Sequence, residues 1–251
     1  MPSWRHPILL LLLLSGIGSA ACQTAGTVGG APTEAPAAAT GADVQTQQRS
    51  VAGFDRVHVS GIGLLVVTPG TPEALSIEAE PDVLSQIRSE VEDRTLEIGP
   101  VPGANLDAHR PIVYHLRASG LRELQLSGAV SIQATGLRAD DLTLDVDGSG
   151  RATLTDLQAS NLTVTLSGSA EMTATGTVPR QQITVMGASH YQGQGLHSQQ
   201  ATVLLTGAGL CELRVSDRLD VDVMGAGRVS YLGSPSVHES ITGTGLVVRA
   251  G

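Results

Sequence analysis

The segment LTLDVDGSGRATLTDLQASNLTVTLSG (residues 142–168) contains the pattern that determines the fold. Apolar and polar residues alternate before its turn glycines, Gly148 and Gly168, and a second alternating stretch follows Gly148. Alternation with a period of two predicts strands that bury one face. The pattern recurs around six other glycines: Gly61, Gly128, Gly187, Gly207, Gly225 and Gly243. From Gly128 onward, successive turn glycines are 18 to 20 residues apart.

The regularity of this repeat can be tested at four positions in each copy: four and two residues before the glycine, and four and six after it. Over eight copies, 29 of the 32 positions are apolar, whereas a composition of 41% apolar residues would give about 13. A unit of about 20 residues cannot bury its apolar face alone, so the copies must stack. The sequence therefore predicts an all-β fold, a single-stranded parallel β-helix (β-solenoid) of about 20-residue repeats and eight coils. An antiparallel β-sandwich or prism built from the same strands is the alternative.

The repeat sets the expected domain boundaries. We expect a signal peptide at 1–21, a flexible tether rich in Ala, Gly, Thr and Pro at 22–50, and the β-solenoid at 51–251. Within the solenoid, 51–120 is predicted to form less regular, longer coils with an N-terminal cap, and 121–251 to form the regular repeats. The segment VLSQIRSEVED in the first part predicts a short helix with four apolar residues on one face: Val83, Leu84, Ile87 and Val91. In the last copy, two charged residues interrupt the apolar columns, as expected of a capping coil: Glu239 and Arg249.

The N-terminus has the layout of an export signal, with one positive charge, a short apolar run and then small residues. Cleavage is predicted after Ala21. The preceding residues and Cys22 resemble a bacterial lipobox, so acylation of Cys22 is expected. Ser19 departs from this motif, because an aliphatic residue is usual at its position. Ordinary cleavage after Ala21 is the alternative. Gln23, directly after the cysteine, resembles the sorting signal of lipoproteins that go to the outer membrane. Several acyl chains on Cys22 would hold the protein firmly at the membrane.

Composition excludes some functions and partners. The net charge is −9, and all 15 basic residues are arginine, so a nucleic-acid partner is not expected. Aromatic residues are 2% of the chain, so the core must consist of Val, Leu, Ile and Ala. After Cys22 only one cysteine remains, which leaves no pair for an intrachain disulfide. The expected partners are the membrane, through the lipidated N-terminus, and a protein or glycan ligand.

Four residues invite a functional interpretation. Asp145 and Asp147 resemble part of a calcium loop, but their neighbours one coil away would be Gln, Thr and Ser rather than further carboxylates, so solvated turn acids are expected. Tyr191, beside His190, occupies an apolar column position and is predicted to fill the core. Cys211 belongs to the same column and is predicted to be a small buried residue rather than a nucleophile. No catalytic residue, metal site or cofactor is predicted, and no histidine pair has zinc-site spacing.

Three stretches carry a family resemblance: FDRVHVSGIGLLVVTPG (54–70), VLSQIRSEVEDRTLEIG (83–99) and GAGRVSYLGSPSVHESITGTG (225–245). With the repeated glycine turns between them, they resemble the family called "putative auto-transporter adhesin, head GIN domain", over about residues 50–251. The resemblance implies an exported or lipid-anchored bacterial protein with a parallel β-helix and an adhesin-like role. His190 and Tyr191 depart from the family's small or aliphatic residues.

Together these features predict a non-enzymatic lipoprotein of the outer membrane whose adhesin-like solenoid mediates adhesion or envelope interactions. A periplasm-facing structural or sensory partner of envelope proteins is the alternative. A β-helical carbohydrate-active enzyme is less favoured, because such enzymes need clustered carboxylates and aromatic platforms, and this chain has few aromatics and dispersed acids.

Overall fold

The computed structural model describes residues 44–250, of which 73% form β-strands and 2% form helix. The predicted signal peptide, its cleavage site at Ala21 and the lipid-attachment residue Cys22 lie outside this range. The elements are β1 (Gln45–Arg49), β2 (Arg56–Pro69), β3 (Ala74–Ala79), α1 (Pro81–Leu84), β4 (Ile87–Glu92), β5 (Thr95–Pro100), β6 (Val113–Ala118), β7 (Glu123–Thr135), β8 (Arg138–Gly148), β9 (Arg151–Gly168), β10 (Glu171–Thr177), β11 (Arg180–Gly187), β12 (His190–Gly207), β13 (Leu210–Gly225), β14 (Arg228–Leu232), β15 (Ser236–Gly243) and β16 (Leu246–Arg249).

The strands wind into a β-solenoid in which each coil pairs in parallel with the next, and this confirms the predicted fold class. The turn glycines stack: Gly61 pairs with Gly128, which pairs with Gly148, and the column continues to the last copy at Gly243. Between Gly128 and Gly243 the chain makes about six regular turns. The eight stacked glycines are joined by seven intervals, of which six are these regular turns and one, between Gly61 and Gly128, is a long excursion through β3 to β6.

Each regular coil has three sides, which we name by their position relative to the turn glycine. The first face precedes the glycine, the second face follows it, and a short third side connects the second face to the next first face. Inward positions form continuous apolar columns, as the four-position test predicted. One column on the second face consists of Ile132, Ala152, Met172, Tyr191, Cys211 and Val229, each fully buried.

The N-terminal part differs from the longer parallel coils that the sequence predicted. β1 pairs antiparallel with β3, and β3 pairs antiparallel with β6 on the outer side of the β2 coil. β1 also lies within the segment 22–50 that was assigned to the tether, so the sheet begins earlier than expected. These antiparallel strands, with α1, cover the sheet edge that an open solenoid end would expose. Arg49 ties them together, since its Nη2 donates to the carbonyls of Leu84 and Ile87 at 2.9 and 3.1 Å.

The predicted helix across 83–93 is wrong beyond its first turn. Only Pro81–Leu84 is helical, and Ile87–Glu92 forms β4, antiparallel to β5. Asp93 and Arg94 both have positive φ, 47° and 64°, and so form the two-residue hairpin turn that joins these strands. Pairing with β5 outweighed the helical spacing of the apolar residues. Within residues 44–250, no helix is long and apolar enough to cross a bilayer.

Burial of two tyrosines and a cysteine makes the fold sensitive to alkali. Burial raises the pKa of Tyr114 to about 12, and it also raises the pKa values of Tyr191 and the Cys211 thiol above their usual range. The folded state therefore keeps protons that the unfolded chain releases above about pH 9 to 10. The contribution of these three groups to stability is constant below that range and is lost as pH rises through it. Tyr114 alone is expected to cost about 2–3 kcal/mol by pH 12.

This expectation can be checked by thermal denaturation followed by circular dichroism between pH 7 and pH 12. We expect a level Tm up to about pH 9 and a steep fall above it. The variant Tyr114→Phe should have a shallower fall, because it removes one of the buried titrating groups. A Tm that stays level to pH 12 would contradict the burial of these side chains.

Candidate functional site

A long concave surface of the described residues runs along the third side, parallel to the solenoid axis. It consists of three adjoining depressions of about 530, 810 and 730 Å³, which we call together the third-side groove. The first two share Leu121 and Arg138, and the second and third share Thr177 and Pro179. From Leu121 to Gly233 the groove passes six coil spacings, or about 30 Å. Such a length suits an extended ligand.

Glycines and register shifts shape this groove. At Gly176 and Gly233 the backbone has φ of +132° and +110°, and a Cβ at either residue would overlap a carbonyl oxygen of the preceding coil. The strand pairing also shifts register on this side, between Ala174 and Gly176 and again between Gly193 and His197. Because the coils approach closely at these glycines, the third side is concave.

The groove is lined by hydrogen-bonding groups of both charges. Arg122, Arg138 and Arg214 line it, together with the carboxylates of Asp140 and Asp141. Amide and hydroxyl side chains lie between the charges: Gln158, Ser160, Ser198, Gln199, Ser216 and Ser234. The arrangement can donate hydrogen bonds to, and accept them from, a polar chain along its whole length.

Some of these charges are held by neighbouring coils. The Asn161 side chain donates to Asp141 Oδ1 at 2.7 Å, and Arg180 Nη1 donates to Asn161 Oδ1 at 3.2 Å. At the N-terminal end, Arg122 Nε lies 3.8 Å from Asp55 Oδ2, while Arg94 donates to the same oxygen at 2.8 Å and holds the pKa of that carboxyl below its usual range. Arg138 Nη2 lies 3.7 Å from Asp156 Oδ2. Because this ion pair is exposed, breaking it to contact a ligand costs the Arg138 guanidinium little free energy.

Asp145 and Asp147 lie where the sequence placed them. Asp145 pairs in register with Gln125 and Thr165, and Asp147 pairs with Ser127 and Ser167, so the predicted neighbours are confirmed. Ser167 Oγ donates to Asp147 Oδ1, which makes the carboxylate part of a polar ladder on the first face. Across residues 44–250, no group of three or more His, Cys, Asp or Glu side chains is placed to hold a metal ion.

Tyr191 and Cys211 are core residues, as predicted. Both are fully buried and adjacent in one column, and burial raises the pKa of the Cys211 thiol, which disfavours the reactive thiolate. The Tyr191 hydroxyl donates to Oε1 of the buried Gln181 at 2.5 Å. His190 faces outward from the same strand and contributes to a polar cluster, with Nε2 3.6 Å from Glu212 and Nδ1 3.2 Å from the Gln192 amide.

Sequence reasoning missed the setting of His58. Its Nδ1 lies 2.9 Å from Glu97 and its Nε2 lies 3.2 Å from Glu123, so the ring bridges carboxylates of two neighbouring strands. Glu123 lies on β7, two residues before Gln125, which is the in-register partner of His58, so the repeat alignment could have indicated it. Glu97 comes from β5, outside the repeat, and no periodicity places it beside His58.

The geometry can be compared with known proteins. The family profile "putative auto-transporter adhesin, head GIN domain" matches residues 53–235. The chain belongs to this family. A comparison with curated proteins gives no match. The head GIN domain assignment agrees with the solenoid, since the match covers β2 and all coils up to the last two strands.

Solved structures agree with this head GIN domain fold. A protein described as a putative adhesin from Bacteroides fragilis is 20% identical, with a TM-score of 0.78 over 83% of this chain and 97% of that chain. A putative adhesin from Parabacteroides distasonis is 22% identical, with a TM-score of 0.68 over 84% and 98%. A protein from the same species described as a putative lipid binding protein is 21% identical, with the same TM-score and coverage. At these identities the likeness concerns the fold.

Proposed function

We propose that the chain is a non-enzymatic adhesin-type head held in the bacterial cell envelope by lipid on Cys22. The observation that carries the proposal is membership of an adhesin family together with a solenoid that presents a long polar groove. The described residues make the head a regular scaffold, and one of the two groove carboxylates, that of Asp141, accepts a hydrogen bond from the Asn161 side chain. An adhesin needs a rigid extended surface, which stacked coils supply.

The anchor follows from the position of Cys22. Acyl chains on this residue would hold the protein at the membrane, and the segment between it and β1 is rich in small residues. A flexible chain of this length spans about 25–30 Å on average. The chain enters the sheet at β1, at one end of the strand order, so the tether joins the head at its covered N-terminal end. We propose an outer-membrane location, with the regular coils facing away from the cell.

Replacing Cys22 with serine is expected to release the protein from membranes. Without the thiol there is no acylation, and the head has no membrane-spanning helix within residues 44–250 to hold it. Fractionation of cells by ultracentrifugation should move most of the protein from the membrane pellet to the soluble fraction. Cys211→Ala is the matched control, because it removes the other cysteine, which is buried in the head, and should leave the protein in the pellet. Retention of the Cys22→Ser protein in the pellet would contradict the lipid anchor.

We infer that the ligand is an extended glycan that lies in the third-side groove. Its lining of guanidinium, amide and hydroxyl groups matches the hydroxyl-rich surface of a glycan, and its length of about 30 Å accommodates several sugars. Arg138 lines two adjoining depressions of the groove, so reversing its charge changes the electrostatics of both.

The adhesion of cells to glycan-coated surfaces tests this function. Cells that produce the wild-type protein should adhere several-fold more than cells without it, and Arg138→Glu should remove most of that difference. Arg88→Glu is the matched control, because Arg88 is similarly exposed but lies on β4, away from the groove. Equal adhesion of the Arg138→Glu and wild-type cells would contradict the groove as the ligand site. Adhesion to protein-coated surfaces alone would contradict a glycan ligand.

A further inference from the structure

The C-terminal coil exposes residues that lie in the core everywhere else. β15 pairs with β13 and β16 pairs with β14, and within residues 44–250 no strand pairs with their other edges. Ile241 continues a column through buried Val223, yet it is 40% exposed. Two of the eight exposed large apolar residues of the described chain lie in this last coil, Ile241 and Leu246. An edge of this kind is a template for pairing with another strand.

The inward residues of this coil are self-complementary about Thr244. Ile241 and Val247 lie three residues before and after Thr244, and both are apolar. Glu239 and Arg249 lie five residues before and after it, and they carry opposite charges. In the preceding coil, the residues that pair with these four are apolar or aromatic: Val221, Val223, Val229 and Tyr231. Glu239 and Arg249 were expected to act only as capping charges, but their symmetric placement gives them a second use.

We propose that two copies of the chain associate end to end through this C-terminal coil, related by a two-fold axis through the Thr244 turn. Such an axis places the first face of one copy over the second face of the other. Leu246–Arg249 of one copy then runs antiparallel to residues 239–242 of its partner. Ile241 meets the partner subunit's Val247, and Glu239 meets the partner subunit's Arg249. The strand ladder and the ion pair each occur twice, as a two-fold interface requires.

The partner that best fits this exposed end is the C-terminal coil of a second copy, not the N-terminal end of one. The N-terminal end is covered by β1, β3 and α1, so coils cannot stack head to tail and the association closes at two copies. The chain carries a net charge of −9, which opposes self-association in general. In the C-terminal coil, by contrast, the charges of Glu239 and Arg249 cancel. A second copy also supplies a β-turn-β edge of matching shape.

Charge reversal tests this association, using the full chain with Cys22→Ser so that acyl chains do not contribute. We expect sedimentation equilibrium to show a dimer for this chain. Glu239→Arg and Arg249→Glu should each place like charges together at both contacts and weaken dimerisation at least a hundredfold. An equimolar mixture of the two variants should dimerise again, because every contact then joins opposite charges. The chain with both reversals should dimerise as well.

Two controls separate association from folding. Glu90→Arg makes the same charge change on exposed β4 and should leave the dimer intact. Both charged residues of the end coil are exposed, so Tm should stay within about 2 °C of the parent value for each variant. A parent chain that stays monomeric, or single variants that dimerise as well as the parent, would overturn the proposal. The inference does not rest on the adhesin function, since adhesion by a monomeric head would leave that function standing.

Discussion

Replacing Gly148 with alanine is expected to destabilise the solenoid by about 3–5 kcal/mol. Two costs combine at this residue. Its φ of +124° lies where L-residues are strained, which costs about 1–3 kcal/mol. A Cβ there would also overlap the carbonyl oxygen of Gly128 in the preceding coil, and overpacking of this kind costs about 1–3 kcal/mol. Because the glycines stack in one column, the coil cannot move away from its neighbour without disturbing the next contact.

Two further alanine variants separate these costs. Gly120 has φ of +68° with open space around a Cβ, so Gly120→Ala should cost only about 1–2 kcal/mol of backbone strain. Gly150 has an ordinary backbone, but its Cβ would overlap the Val130 carbonyl, so Gly150→Ala measures the clash alone. Denaturation by urea gives the free energy of unfolding for each variant. The account is contradicted if Gly148→Ala is as mild as Gly120→Ala.

Truncating Tyr191 to alanine should cost about 3–5 kcal/mol, because it empties the largest space in the regular coils. The ring lies against Gly193, where a Cβ would collide with it, so the small and large residues fit each other. Tyr191→Phe should cost about 1–3 kcal/mol, since it leaves Oε1 of the buried Gln181 without a donor. The Gln181 amide nitrogen already lacks a hydrogen-bond partner.

The double variant Tyr191→Phe with Gln181→Leu should recover most of the loss from Tyr191→Phe alone. It replaces both members of the hydrogen bond with apolar groups of similar shape, which is nearly neutral in a core. Tyr231→Phe is a matched control at a partly buried residue in the next-to-last coil and should change the free energy of unfolding by less than about 0.5 kcal/mol. A double variant less stable than Tyr191→Phe would show that Gln181 has another role.

The parts of the fold that repeat could be predicted from sequence, because period and burial coincide there. The glycine column, the register of Asp147 with Ser167 and the burial of Cys211 all followed from counting residues between turns. Outside the last copy, the one test position that is not apolar is Gly193, and the large ring of Tyr191 beside it explains this exception.

The parts that were missed depend on contacts outside the repeat. Ile87–Glu92 has helical spacing, but a hairpin at Asp93 and Arg94 pairs it with β5. Nothing in the composition of Gln45–Arg49 indicates a strand, and it becomes one because β3 offers an edge. The third-side groove arises from register shifts and close glycine contacts, which period counting treats as gaps between strands.

Treatment of intact cells with a protease tests the proposed surface adhesin most directly. The head should resist cleavage because its backbone is hydrogen-bonded coil to coil, whereas residues 23–43 should be cut. We predict that the protease releases an intact head into the medium while a periplasmic marker protein stays uncleaved. Protection of the protein until the outer membrane is permeabilised would contradict surface display and would favour a periplasm-facing partner of envelope proteins.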